Sequence, residues 1–251
     1  VVADIPANTV SGRYAHAVRI GSASIPLVVD VAPYVLPDRR DRRGYIDLAW
    51  SDDILADQFD VEPWSPAHWV LIEKQLRLMS QLPSRVVRLT VLAENHLQER
   101  YAKVRFRKTA EGYVPDFSLA RKLLDRYVEQ AGKPHRVIAV VWDMMACGRP
   151  GTTAVEQQTG PVSAKMTVVK EDGTLVNQPL PLPFEEGAED LWQRLMDGFA
   201  QLVEERGWPR EIIAIGTAAD GRPRRETIEA LRRMAPYAGW EVWTHADGDG
   251  M

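Results

Sequence analysis

The sequence predicts an α/β protein with a parallel sheet. Three observations carry this reading. Short apolar runs alternate with amphipathic stretches of helical period from residue 45 onward. One run, residues 137–142, is continuously apolar, as in strands buried on both faces. Helix-opening and helix-closing residues stand between the runs. About five strands and four helices result, leaving two closures open: a doubly wound sheet or a (β/α)8 barrel. No glycine-rich phosphate loop follows any strand, which counts against nucleotide-binding doubly wound types. A barrel needs eight strands, so that closure implies a chain continuing past Met251.

The elements follow in order. Residues 15–20 and 25–31 are β-branched runs around the turn Gly21-Ser22-Ala23-Ser24, a hairpin. Two strands alone are marginal, so residues 1–36 read as the tail of a β-rich module. The polar, proline-marked stretch 36–43 is the domain boundary, with the α/β domain at 37–251. Residues 45–50 are a short first strand. Ser65-Pro66 opens a helix carrying Trp69, Ile72, Leu76 and Met79 on one face. Residues 86–93 form a strand. Asp116-Phe117-Ser118 opens a helix bearing Leu119, Leu123, Leu124 and Tyr127, and 137–142 is the next strand. Residues 144–187 are a long insertion, with a hairpin turning at Glu171-Asp172-Gly173. A helix over 189–206 stops at Gly207 and Pro209. Strand 212–215, helix 224–234 and strand 240–244 complete the pattern.

Composition narrows the function. Of 251 residues, 45% are hydrophobic and 26% charged, enough for a real core. The net charge of −4 and the lack of an extended basic block argue against a nucleic-acid partner or an anionic membrane surface. No run approaches the ~18 apolar residues of a membrane span. The single cysteine, Cys147, rules out an internal disulfide or a multi-thiolate metal site. The histidines have no metal-motif spacing, so neither a metal nor a cofactor is expected. No signal peptide is visible at Val1.

In a parallel α/β domain, ligand groups sit at the C-terminal ends of strands. The polar residues there are Asp47, Trp50, Asp52 and Asp53; Glu94, Asn95 and His96; Trp142 and Asp143; Thr217, Asp220 and Arg222; His245 and Asp247. Carboxylates that bond hydroxyls, and indoles that cover an apolar sugar face, suit a carbohydrate. Asp143, Asp220 and Glu94 are the candidate acid/base groups. Asp47, Trp50, Trp64, His96, Trp142, Thr217, Arg222 and His245 are the candidate substrate contacts. Any single aspartate at a loop end has a plainer reading as a cap or turn former.

Several segments carry a resemblance. Gly12-Arg13-Tyr14, residues 25–31 and Leu36-Pro37-Asp38 are similar to the last sandwich hairpin and linker of family 123 glycoside hydrolases. Ile46-Asp47-Leu48-Ala49-Trp50 with Glu62-Pro63-Trp64-Ser65 resembles that family's first barrel strand and helix entry. Val104-Arg105-Phe106-Arg107, Asp116-Phe117-Ser118 and Asp125-Arg126-Tyr127 follow in order. The resemblance implies a β-sandwich joined to a (β/α)8 barrel, of which about five βα units are present here. Upstream sandwich and downstream barrel segments would belong to the full-length chain. It further implies a secreted or periplasmic bacterial protein acting on carbohydrate, in the direction of hexosaminide-type glycans.

The family carries an adjacent Asp-Glu pair after its fourth strand. There the glutamate is the general acid/base, and the aspartate orients the substrate acetamido group. Here Gly216-Thr217 follows Ile215, and the next carboxylate is Asp220. Two expectations result: a divergent glycoside hydrolase using other carboxylates, or a carbohydrate-binding relative that does not cleave.

Overall fold

The computed structural model describes residues 4–6, 8–37, 46, 48, 50–82, 85–143, 164–218, 223 and 225–242. The chain divides into two compact units, residues 1–44 and 45–251. The first contains an antiparallel hairpin, β1 (Gly12–Ile20) with β2 (Ala23–Val31). Its turn is the two residues Gly21-Ser22, tighter than the four-residue turn the sequence suggests, and Gly21 takes φ 60°. A positive φ is what a two-residue hairpin turn requires, and glycine adopts it without steric cost.

The second unit is α/β, as predicted. Its elements are α1 (Asp52–Gln58), α2 (Pro66–Met79), β3 (Val86–Thr90), β4 (Arg105–Thr109), β5 (Gly112–Asp116), α3 (Ser118–Ala131), β6 (Arg136–Asp143), β7 (Lys165–Val169), β8 (Leu175–Pro179), α4 (Glu189–Glu204), β9 (Ile213–Ala218), α5 (Arg225–Met234) and β10 (Gly239–Val242). The described residues of 45–50 form no strand, only an isolated bridge at Ile46, and α1 follows at once. The predicted first strand is therefore not seen among them. Residues 91–93 also leave β3, and Ala93 bridges to Lys165 instead.

Strands β10-β9-β6-β3 form a four-stranded parallel sheet whose order never reverses. Helices α3, α4 and α5 connect its successive strands. One face, with Val87, Leu89, Val137, Ala139, Ile213 and Ile215, lies in the main core with the helices. The predicted helical stripes supply that core: Trp69, Ile72, Leu76 and Met79 from α2, and Leu123, Leu124 and Tyr127 from α3. Ser65 caps α2 by accepting from the His68 N–H at 3.2 Å. Asp116 begins α3 by accepting from the Ser118 N–H at 2.9 Å. The opposite face holds a smaller apolar cluster, Val86, Ile138, Val140 and Ala214.

The excursions after β3 and β6 are themselves strands. Hairpin β4–β5 joins hairpin β7–β8 through a parallel β4–β7 pairing, giving the sheet β5-β4-β7-β8. The β7–β8 hairpin was expected; the β4–β5 hairpin and the merging were not. No helix among the described residues is long and apolar enough to cross a membrane.

Candidate active site at the strand ends

Asp143 ends β6, and a bulge decides where it points. Val140 pairs with Gly216, but Trp142 pairs with Thr217, so Val141 is the extra residue. Side chains alternate along a strand, and one inserted residue reverses the alternation. Ile138 and Val140 face away from the helices. After the bulge Trp142 turns into the main core, and Asp143 joins the face of Ile138 and Val140. In an unbroken register, with Val141 opposite Thr217, the carboxylate would have entered the helix layer. Asp143 is fully buried, and its Oδ2 accepts from the His96 N–H at 2.8 Å. The ends of β3 and β6 are thereby tied together.

The loop after β3 has a strained backbone. Glu94 and Gln98 adopt φ 52° and 60°, the left-handed region. Asn95 organises it. Its Oδ1 accepts from Leu97 N at 2.9 Å, and its Nδ2 donates to Leu92 O and to Glu99 Oε2, both at 2.9 Å. The Glu94 N–H closes the loop on Glu99 O at 2.7 Å. The Glu94 carboxylate receives Lys165 Nζ from β7 and Asn177 Nδ2 from β8, the latter at 3.0 Å. These hydrogen bonds, Lys165 first, hold it below the usual glutamate range. Glu94 is exposed and ionised, an acceptor for hydroxyls.

Beneath the loop lies a charged group the sequence reading missed. Lys103 is 3% exposed, wedged between Asp52 and Glu99, at 1% and 2%. Its Nζ donates to Glu99 Oε1 and lies 2.9 Å from Asp52 Oδ2, an ion pair without an aligned hydrogen bond. Burial works against the ammonium, but the two carboxylates outweigh it and raise the Lys103 pKa above its ordinary value. Burial raises the Asp52 pKa, with Lys103 opposing. Burial likewise raises that of Asp53, whose Oδ2 accepts the Arg100 N–H. Glu99 and Lys103 stand four apart in sequence, a spacing that reads as an ordinary surface helix pair. Nothing in it signals burial.

Trp64 sits at φ 64°, its N–H donating to His68 Nδ1 at 2.8 Å. Its ring packs 5.4 Å from that imidazole and 5.6 Å from Trp69. Trp64 and Trp50 are half-buried against the core, whereas Trp142 is 2% exposed and its indole is closed to solvent. Asp47, Cys147, Asp220, Arg222, His245 and Asp247 lie outside the described residues, as does the side chain of Thr217. The structure thus ties the His96 backbone to Asp143 and, in the same loop, sets Lys165 and Asn177 on Glu94. Among the described residues no cluster of three or more His, Cys, Asp or Glu is placed to hold a metal ion.

Residues 50–244 match the family model for the catalytic domain of glycoside hydrolase 123. The chain is similar to a solved structure, that of a family 123 glycoside hydrolase from Clostridium perfringens studied for glycolipid glycan hydrolysis. The TM-score is 0.68 at 14% identity, covering 98% of this chain and 43% of that one. That likeness is one of fold. This chain therefore spans less than half the length of the structure it matches. No curated protein matches it.

Proposed function

The chain belongs to glycoside hydrolase family 123, and from that premise we propose that it hydrolyses a carbohydrate at the C-terminal ends of β3, β6 and β9. The observation that carries this is the catalytic-domain match over residues 50–244, within which Asp143 bonds the loop after β3 that also bears Glu94. The parallel sheet is one arc of a (β/α)8 barrel. In support, its strands follow in sequence order without the reversal of a doubly wound sheet. Residues 1–36 are the closing hairpin of a β-sandwich domain, and the barrel domain begins at 37. The protein works outside the cytoplasm, secreted or periplasmic, on hexosaminide-type glycans.

The roles follow from chemistry. Asp143, the carboxyl group that ends β6, donates the proton to the leaving oxygen. Glu94, ionised and anchored by Lys165 and Asn177, accepts hydrogen bonds from sugar hydroxyls. Asp220 and Arg222 contribute hydroxyl contacts from beyond β9. Trp50 and Trp64 offer indole faces.

One observation favours a second reading, binding without cleavage. A Cβ at Gly216 would stand 2.2 Å from Ile138 Cγ2, so the position that departs from the family pattern is occupied by core packing. A panel of nitrophenyl glycosides, N-acetylhexosaminides included, and of natural glycans, run with the full-length protein, separates the two. Turnover lost in Asp143→Asn supports hydrolysis. Saturable binding without turnover supports the second reading, and neither result defeats both.

A further inference from the structure

The loop after β3 keeps Glu94 and Gln98 in left-handed backbone without a glycine, a conformation that persists only where its surroundings over-determine it. Glu99 supplies that constraint. One carboxylate oxygen accepts from Asn95 Nδ2 at 2.9 Å, and the other accepts from the Lys103 ammonium. Its backbone C=O accepts the Glu94 N–H. Lys103 is fixed in turn. Its own N–H donates at 3.0 Å to the C=O of Thr90, the last residue of β3, and its ammonium lies against Asp52 of α1. The donor–acceptor sense of this chain cannot be reversed. Asn95 turns Oδ1 to the Leu97 N–H and Nδ2 to Leu92 O, so it meets Glu99 as a donor. Lys103 has only donors to offer. Glu99 therefore faces two donors, and only a carboxylate accepts from both.

We propose that Glu99 is a positioning residue: clamped by Lys103, it holds the 94–98 loop in its strained form, and so sets the His96 N–H on Asp143 and presents Glu94 to the sugar. The role in chemistry rests on the reading of the chain as a glycoside hydrolase; the hold on the loop does not. Glu99 is 2% exposed and Lys103 3%, so both act from beneath the site. Stability alone does not account for them. A buried ion pair gains little over apolar residues of the same volume, because desolvation offsets the attraction. Here the pair is joined through Asn95 to a loop whose backbone is strained and whose His96 N–H reaches the buried Asp143 carboxylate. Strain and buried charge in one place are the marks of a loop held for function. A glutamine at position 99 shows the constraint. With its oxygen toward Lys103, its amide N–H groups meet Asn95 Nδ2; turned over, they meet the ammonium. Either way two donors face each other.

Amide hydrogen exchange in the full-length protein tests the hold on the loop. Glu99→Gln should speed exchange of the His96 N–H about tenfold or more, as for loss of a hydrogen bond to a charged group, while amides of β6 change less. Unchanged His96 exchange overturns the proposal, and so does exchange that rises equally through β6, the sign of a merely structural role. Kinetics on the glycoside found in the panel test the role. With the variant fully folded, kcat should fall about tenfold or more and KM change less, as for a misplaced catalytic group. Unchanged kcat overturns the role. The double variant Asn95→Asp/Glu99→Gln moves the carboxylate to position 95, where it can accept both the Leu97 N–H and the new amide. It should recover part of the protection and of kcat; a double variant no better than Glu99→Gln overturns the donor–acceptor argument. If Glu99→Gln does not fold, Asn95→Ala, which leaves the Lys103–Glu99 pair in place, carries the same expectations. If the wild type binds glycan without cleaving it, affinity replaces kcat. If it does neither, the carbohydrate reading fails and the role with it, while exchange still judges the loop.

Discussion

Replacing Lys103 with methionine removes the one ammonium between two buried carboxylates. Methionine is close in length, so packing is largely kept and the electrostatic consequence dominates. Asp52 and Glu99, both at 2% exposure or less, lose the cation that both approach. Breaking a buried pair by deleting one partner typically costs ~3–5 kcal/mol, because a buried charge is left uncompensated. For a chain of this size that is about 6–20 °C in Tm. The cost should depend on pH in a definite direction. Without Lys103 the burial of Asp52 is less opposed, and its folded-state pKa rises further above the unfolded value. The folded state then binds more protons, so stability increases as pH falls toward ~4 and decreases toward neutrality. Thermal and urea melts of Lys103→Met from pH 4 to 8 measure this. A melting temperature within 2 °C of wild type across that range would refute the buried ion group as described.

Asp52→Asn leaves a one-to-one Lys103–Glu99 pair. Because burial raises the Asp52 pKa, Asp52 subtracts stability as pH rises through its titration, so this variant should melt at or above wild type at pH 7. Lys165→Met should return the Glu94 pKa toward the ordinary glutamate value, read by carboxyl NMR titration, and loosen glycan binding; a Glu94 midpoint that stays low would count against the clamp. Asp143→Asn should lower turnover on any cleaved glycoside by ~10²-fold or more in steady-state kinetics, the range for losing a general acid. Unchanged kinetics with a lowered Tm would make Asp143 structural. Gly198→Ala places a Cβ 2.2 Å from the Phe117 ring and should cost ~1–3 kcal/mol in urea melts, with no change in the unfolding slope.

The local grammar of this chain was open to reading because it acts over a few residues. Ser65-Pro66 and Asp116-Phe117-Ser118 begin helices through hydrogen bonds to N–H groups two or three positions on. The apolar stripes of α2, α3 and α4 repeat at the helical period, and the runs at β6 and β9 are apolar on both faces. The turn at Gly21 requires a positive φ, which glycine supplies. Strand–helix alternation followed from these, and so did Glu94 and Asp143 as residues near strand ends.

What tertiary structure decided depends on contacts between residues far apart in sequence. Whether Asp143 faces the helices or the opposite side rests on one extra residue, Val141, visible only against the register of β9. The β4–β5 and β7–β8 hairpins join through Phe106 and Val168, 62 positions apart, and their union brings Lys165 and Asn177 to Glu94. Glu99 and Lys103 resemble a solvated pair until α1 closes over them with Asp52. Periodicity tells which residues share a side of an element. Only pairing between elements tells what that side meets, and a charge acquires its function from what it meets.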